Sequence, residues 1–372
     1  MMNYITGKGR AVLALVLVCL LWACSDEHRR EGDTLRLLPY AVQYQQSAPA
    51  TKGTVTAPTS YNPYVSLFPR ENGVLPDFNI FFTQSAQTSQ SGLNEQTNDM
   101  LRYQTTDNVW LSSVKIKDIP YYIYGYMPAD LGTGVSIVPL NSDYRNGARL
   151  TITGLDPVLH EDPCVIVGVR GVNSRDADAA LQLGNFLYQG QPLGENFVYL
   201  LLDHIYARLD LKFRIGSRYN ALRDIKVKSV SLGVAGVGTV SATATLTGNT
   251  SGTSPFTALS FTPTGSNYTL VPVESDEGIL LDETEPLSTT VCFAPGMSYT
   301  TLGFKLTTVY DVYDRKGNLI QANRQAENDL SRLAAVTALT RGQQATINLT
   351  VNPDFLYQLS DPDLDNPTIV LN

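Results

Sequence analysis

Three histidines and four cysteines are the side chains here best suited to catalysis or metal ligation. A nucleophilic hydrolase needs a nucleophile with a base beside it, and no Gly-x-Ser-x-Gly turn occurs. His28 lies in an acidic N-terminal stretch, His160 sits in a turn beside Glu161 and Asp162, and His204 falls in a long apolar run. Spread this way, they predict surface or hydrogen-bonded structural imidazoles rather than catalysts or a metal site. Cys164 and Cys292 stand in separate apolar contexts, "DPCVIVGV" and "TTVCFAPG", without any Cys-x-x-Cys. They read as two separate buried thiols rather than a disulfide, and no zinc or redox motif is indicated. Asp361, Asp363 and Asp365 are spaced like the start of a calcium loop, but Asn366 stands where that loop needs Gly and no closing Glu follows. Gly233, Gly236 and Gly238 lack the Lys-Ser/Thr of a phosphate loop and suit tight β-turns better. No catalytic residue, cofactor site or metal ligand is therefore assigned, and the chain reads as a non-enzyme.

Cys24 offers a different chemistry. Lys8 and Arg10 precede an apolar run, 11–23, in the layout of an export signal. The run is shorter than the roughly 20 apolar residues of a membrane-spanning helix. Leu21, Ala23 and Cys24 resemble the lipobox of bacterial lipoproteins, although Trp22 is unusual there. The resemblance implies cleavage between Ala23 and Cys24 and acylation of the Cys24 thiol. "SDEH" (25–28) resembles the acidic tag that sends some Bacteroidota lipoproteins to the outer leaflet. One acyl chain holds a protein marginally and several hold it stably. The expected location is the cell outer membrane, as a surface-exposed lipoprotein.

The formal net charge is −8, and the basic signal segment makes the remainder more acidic still. Such a surface argues against nucleic acid or anionic lipid as main partner. With 372 residues, the chain is long enough for two cores.

Those cores are expected to be built from strands. From about residue 34 apolar residues recur at a period near two, and turn signals such as "PADLGTG" and "DRKGN" come often. The run "FVYLLLDHIYARLDLKFRI" (197–215) carries the clearest signal. Ile205, Ala207, Leu209, Leu211, Phe213 and Ile215 share one face; Tyr206, Arg208, Asp210, Lys212 and Arg214 share the other, expected in water. At about 3.3 Å per residue the run would reach roughly 60 Å, so it is expected to bend or split. Residues 305–325 predict a hairpin around Arg315, Lys316, Gly317 and Asn318, and residues 326–336 a short helix. The polar segment 247–267 reads as a loop or hairpin. The predicted fold class is all-β: two transthyretin-like, Greek-key β-sandwiches in tandem. The boundaries are 1–23 signal, 24–55 leader with a removable strand and linker, 56–190 first sandwich and 191–372 second sandwich.

Trp110, Tyr121, Tyr122, Tyr124 and Tyr126 could stack sugars if exposed together, but as strand residues they are expected in the first core. Taken with the lipobox, the segments "ATKGT", "YYIYGYMP", "VYLLLDHIYARLDLKF", "VYDVYDRKGN" and "LTRGQQATINLTVNPDFLY" resemble the fimbrillin-like subunits of Bacteroidota type V pili. The resemblance covers nearly the whole chain after Cys24. It implies a surface fimbrial subunit whose N-terminal strand, here "TLRLLPYAVQYQ" (34–45), is trimmed by a trypsin-like protease. Cleavage would fall near Lys52, or at Arg36 if early. The vacated groove would accept a strand of another pilus subunit, provided by residues 352–372. The family often has Arg where Lys52 stands, so a chain that resists cutting would remain a lipidated, non-polymerising anchor or mature differently. A surface glycan-binding lipoprotein is the competing expectation. Implied partners are other subunits, the outer membrane through Cys24, and a host protein or glycan.

Overall fold

The computed structural model describes residues 34–42, 44–46, 61–63, 75–83, 96–107, 109–115, 120–172, 183–189, 196–248, 254–297, 303–354 and 363–371. Ala23, Cys24, Lys52, His28 and Asp361 lie outside the described residues. Four β-sheets dominate, as an all-β chain requires. Among the described residues two single-turn α-helices, Ser217–Asn220 and Ala334–Thr337, fall between strands. Among the described residues no helix is long and apolar enough to cross a membrane.

Strands are numbered along the chain. The first sheet holds β1 (Thr34–Val42), β3 (Tyr61–Pro63), β4 (Phe78–Thr83), β5 (Gln96–Gln104), β6 (Val109–Lys115), β7 (Pro120–Met127), β11 (Cys164–Val172), β12 (Leu187–Gln189) and β13 (Asn196–His204). Its order is β11-β13-β1-β6-β5-β4-β7-β12, with β3 on β1. Cys164 and Val165 also pair with Met127 and Tyr126, which joins β11 to β7 and closes the sheet into a barrel-like ring. Closure removes free edges, the alternative to two open faces packed as a sandwich.

β1 occupies the middle of this ring. It runs parallel to β13, from Leu35 opposite Asn196 to Ala41 opposite Leu202, and antiparallel to β6, with Leu37 opposite Trp110. Alternation explains its seat: Leu35 and Leu37 are fully buried, while Arg36 and Leu38 are half-buried. Pro39 cannot donate a ladder hydrogen bond. It falls between the β6 register, which reaches Leu37, and the β3 register, which begins at Tyr40. Leu35 and Leu37 share a core with Phe78, Ile80, Trp110 and Val198. Burying each such Leu is worth about 1.5–3 kcal/mol relative to exposure.

Gly125 on β7 packs against the β4 backbone opposite Ile80. A Cβ there would overlap the Asn79 carbonyl oxygen and approach Ile166 Cδ1 to 3.0 Å. Gly125→Ala is therefore expected to destabilise the fold by about 1–3 kcal/mol. A lowered urea midpoint checks this; an unchanged midpoint would mean that β4 and β7 can part there.

The second sheet contains β2 (Gln45–Gln46), β10 (Val158–Leu159), β14 (Ala207–Ile215), β19 (Leu287–Phe293), β22 (Gln343–Asp354) and β23 (Asp363–Leu371). Its order is β10-β19-β14-β22-β2, with β23 on β22. The long run 197–215 thus splits as expected: β13 belongs to the first sheet and β14 to the second. All six residues of the predicted inner face are buried. Tyr206 departs from the expectation of a water-facing ring. It lies between β13 and β14, fully buried, with its hydroxyl donating to the Asp156 carbonyl at 2.7 Å. Alternation fails there because the chain is changing sheets.

The third sheet, β18-β15-β20-β21, joins β15 (Arg223–Ala235), β18 (Asn267–Leu280), β20 (Phe304–Asp314) and β21 (Leu319–Asp329). β20 and β21 form the expected hairpin, turning at Gly317 with φ 83°. The fourth, β17-β16-β9-β8, joins β8 (Gly134–Pro139), β9 (Gly147–Leu155), β16 (Thr239–Thr247) and β17 (Phe256–Thr264). Much of the polar segment 247–267 is thus strand rather than loop. Threonines suit the pleated surface, and Thr239 and Thr264 hydroxyls meet across it at 2.8 Å. Pairing between β9 and β16, and between β11 and β13, joins residues from both sides of position 190.

Candidate functional site

The leader residues 34–46 touch two sheets. β1 lies within the first, then β2 sits on the second, with the Gln45 amide donating to the Gly342 carbonyl at 2.8 Å. At the crossing, Val42 and Tyr44 close over a buried polar cluster. Its centre is His204, the last residue of β13, fully buried. His204 Nε2 lies 2.5 Å from the Val42 carbonyl oxygen. A carbonyl only accepts, so Nε2 carries a proton and Nδ1 faces the other way. There it meets Asp162 Oδ2 at 2.7 Å and Cys164 Sγ at 3.4 Å. The Tyr44 ring stacks on the imidazole, centroids 3.8 Å apart, and its hydroxyl donates to Asp162 Oδ1 at 2.6 Å. The same hydroxyl lies 3.5 Å from Cys292 Sγ.

Charge explains why this cluster tolerates burial. Desolvation alone would lower the His204 pKa. The Asp162 carboxylate, with help from Asp203 and the Val42 carbonyl, outweighs it and holds the ring above its ordinary value. Burial, then the Asp162 charge, pushes the Cys164 and Cys292 thiols and the Tyr44 phenol well up, so all three keep their protons. Around the rim, Asp203 binds Arg341 at 2.7 Å, and the Arg341 guanidinium lies 3.9 Å from the Phe256 ring centroid.

The sequence anticipated two buried thiols and a hydrogen-bonded His204; Cys164 and Cys292 are free and buried. It did not anticipate that Asp162, Cys164 and His204 converge, with ligand atoms all within 4.8 Å of one another. His204 thus lies in a group of side chains that could hold a metal ion, which the spread of the three histidines along the sequence did not suggest. His160 is exposed and apart from it. The Asp-x-Cys spacing of residues 162–164 was the available signal, but its partner His204 lies on another strand.

Arg36 is half-buried, with its guanidinium over the Phe197 ring at 5.5 Å. Its backbone pairs with Phe197 on one side and Leu111 on the other. A protease binds an extended segment with free edges, so cutting here requires β1 to leave the sheet. Trypsin is expected to cleave after Arg36 in the folded chain about 100-fold or more slower than in the urea-unfolded chain, since opening a central strand costs several kcal/mol. Timed proteolysis read by mass spectrometry checks this; comparable rates would show β1 to be loosely held.

The aromatic cluster offers no sugar platform. Trp110, Tyr121 and Tyr124 are fully buried, Tyr126 is 3% exposed, and Tyr122 alone of the five is half-buried. Their polar atoms are used internally: Trp110 Nε1 donates to the Pro76 carbonyl at 3.0 Å, and the Tyr124 hydroxyl to the Tyr144 carbonyl at 2.7 Å.

The chain's neighbours among solved structures are cell-adhesion and fimbrial proteins. It is similar to a candidate cell adhesion protein from Bacteroides fragilis, at 11% identity and TM-score 0.46, over 91% of this chain and 97% of that one. A fimbrial protein from Bacteroides vulgatus matches at 14% identity and TM-score 0.37, over 79% and 91%. The fimbrial anchor protein of Porphyromonas gingivalis matches at 10% identity and TM-score 0.25, over 91% and 97%. No protein-family model and no curated protein matches. Likeness this distant leaves function to be argued from the residues of this chain.

Proposed function

We propose that this chain is a non-enzymatic fimbrial subunit, carried to the outer membrane surface as a lipoprotein acylated on Cys24. Proteolysis after Lys52 separates the leader from the body. A strand from another subunit then takes the place of β1. The position of β1 carries this proposal: a strand from the leader completes the ring between β13 and β6, and its removal leaves backbone donors and acceptors exposed on both flanks of a groove. Strand addition satisfies such a groove with ladder hydrogen bonds and alternate apolar side chains. β23 suits the donor role. It has nine residues, as β1 has, and it pairs along one flank of β22 near the C-terminus. It also carries Ile369 and Leu371 at alternate positions and a Pro, which favours an edge position.

Mass spectrometry of the protein from cell envelopes, with and without a trypsin-like protease, tests this. The expected result is an acylated Cys24 end replaced on cleavage by an end at Gly53, with oligomers appearing. A chain that keeps its lipid and stays monomeric would overturn polymerisation and favour a lipidated anchor.

A further inference from the structure

Beneath the leader lies an arrangement that strand exchange does not require. Asp162, Cys164 and His204 present an oxygen, a sulfur and a nitrogen toward one point, from fully buried side chains. Zinc bonds of about 2.0–2.3 Å place tetrahedral ligand atoms roughly 3.3–3.8 Å apart. The Nδ1–Sγ separation of 3.4 Å already has that value, and the Nδ1–Oδ2 separation of 2.7 Å needs only a small widening. The surroundings are also those of a ligand set. A metal-bound imidazole characteristically donates its other N–H to a carbonyl, which fixes the tautomer. Here the Val42 carbonyl takes that N–H, and the Tyr44 hydroxyl holds the second carboxylate oxygen. The Asp162 carboxylate takes the Tyr44 hydroxyl on Oδ1, the His204 ring on Oδ2 and a hydrogen bond from the Cys164 thiol, so the three ligand groups already face one another.

We propose that Asp162 Oδ2, Cys164 Sγ and His204 Nδ1 form a site for a zinc(II)-class cation that pins the leader to the body. Calcium and magnesium take oxygen ligands, so a thiol and an imidazole select against them. On binding, the cation displaces the proton between Nδ1 and Oδ2 and the Cys164 thiol proton, and both pass to solvent. The Tyr44 hydroxyl and Cys292 Sγ, 3.5 Å apart, border the cluster, and the hydroxyl lies 2.6 Å from Asp162 Oδ1. Two second-layer groups, Val42 and Tyr44, belong to the leader, so the cation favours the state in which the leader is seated. All three ligands stay with the body, so only the loss of these second-layer partners couples the metal to the leader; such a loss typically weakens a metal site by about 10–100-fold, and saturating zinc should slow leader release by about that factor. The site stands without the strand-exchange proposal; its effect on leader release rests on it.

The test uses the full chain, reduced, stripped with a chelator and dialysed against zinc(II) or cobalt(II). One equivalent of metal is expected, with a thiolate-to-cobalt charge-transfer band. Cys164→Ser should abolish that band, and His204→Gln should weaken binding at least about 10-fold. His160→Ala should bind as the parent does. Magnesium and calcium should not compete. Sub-stoichiometric zinc on the folded parent chain, or a cobalt spectrum without the thiolate band, would overturn the site whatever the variants do. Tight binding that leaves the rate of leader release after cleavage unchanged would overturn the pinning.

Discussion

Replacing Leu37 by Asp should lower the stability of the uncut chain by more than about 3 kcal/mol, yet leave assembly of the cleaved chain intact or faster. Leu37 is fully buried in β1, opposite Trp110 and Val198. Truncating such a residue to Ala already costs about 2–5 kcal/mol. A carboxylate adds the cost of burial without a partner. The second half of the expectation separates a removable strand from an ordinary core strand. Once the leader has gone, residue 37 has gone with it, and the groove keeps its own apolar lining of Phe78, Ile80 and Val198. Urea denaturation of the uncut chain and size-exclusion chromatography after proteolysis measure the two halves. The milder Leu37→Ala serves if the Asp variant does not fold. Loss of oligomers from the cleaved variant would place Leu37 in the assembled product and contradict leader removal.

Removing Asp162 should cost a comparable amount for a different reason. Asp162→Ala leaves the buried His204 without its counter-charge and the Tyr44 hydroxyl without its acceptor. Breaking one side of a buried ion pair typically costs 3–5 kcal/mol, whereas replacing both partners by apolar groups costs much less. The double variant Asp162→Ala/His204→Leu should therefore be more stable than Asp162→Ala alone. Chemical denaturation in chelator, arranged as a double-mutant cycle, reads the difference. A double variant less stable than the single would show that the pair is not the main interaction of the cluster.

Much of the fold was legible because strand burial has a period of two. The inner face from Ile205 to Ile215 is realised, since it depends on neighbours along the chain. Burial of Trp110 and most of the tyrosines on β7 was expected from their place in strands, but β7 is buried on both faces, Tyr121 in one core and Tyr124 and Tyr126 in the other, which alternation does not give. What was not legible depends on pairing between distant strands. Nothing local in "DPCVIVGV" reveals that Cys164 will pair with Met127 and close a ring. Tyr206 was misplaced because alternation was carried through a point where the chain leaves one sheet for another. The polar cluster was hidden most deeply. Tyr44, Asp162, Cys164, His204 and Cys292 each sit in an unremarkable stretch, and only the fold brings them within reach of one another. Arg36 was legible as a basic residue in a strand. That both of its flanks would be paired was not.

The most direct test of the central claim follows the leader itself. Purified full-length protein, labelled on a residue introduced into the leader at the exposed Gln45, is cut with a trypsin-like protease and then fractionated by size. Strand exchange predicts that the label leaves as a small fragment while the body, beginning at Gly53, moves into oligomers. A label that stays with a monomeric body after cleavage would show β1 to be a permanent strand of the ring and would contradict the proposed assembly.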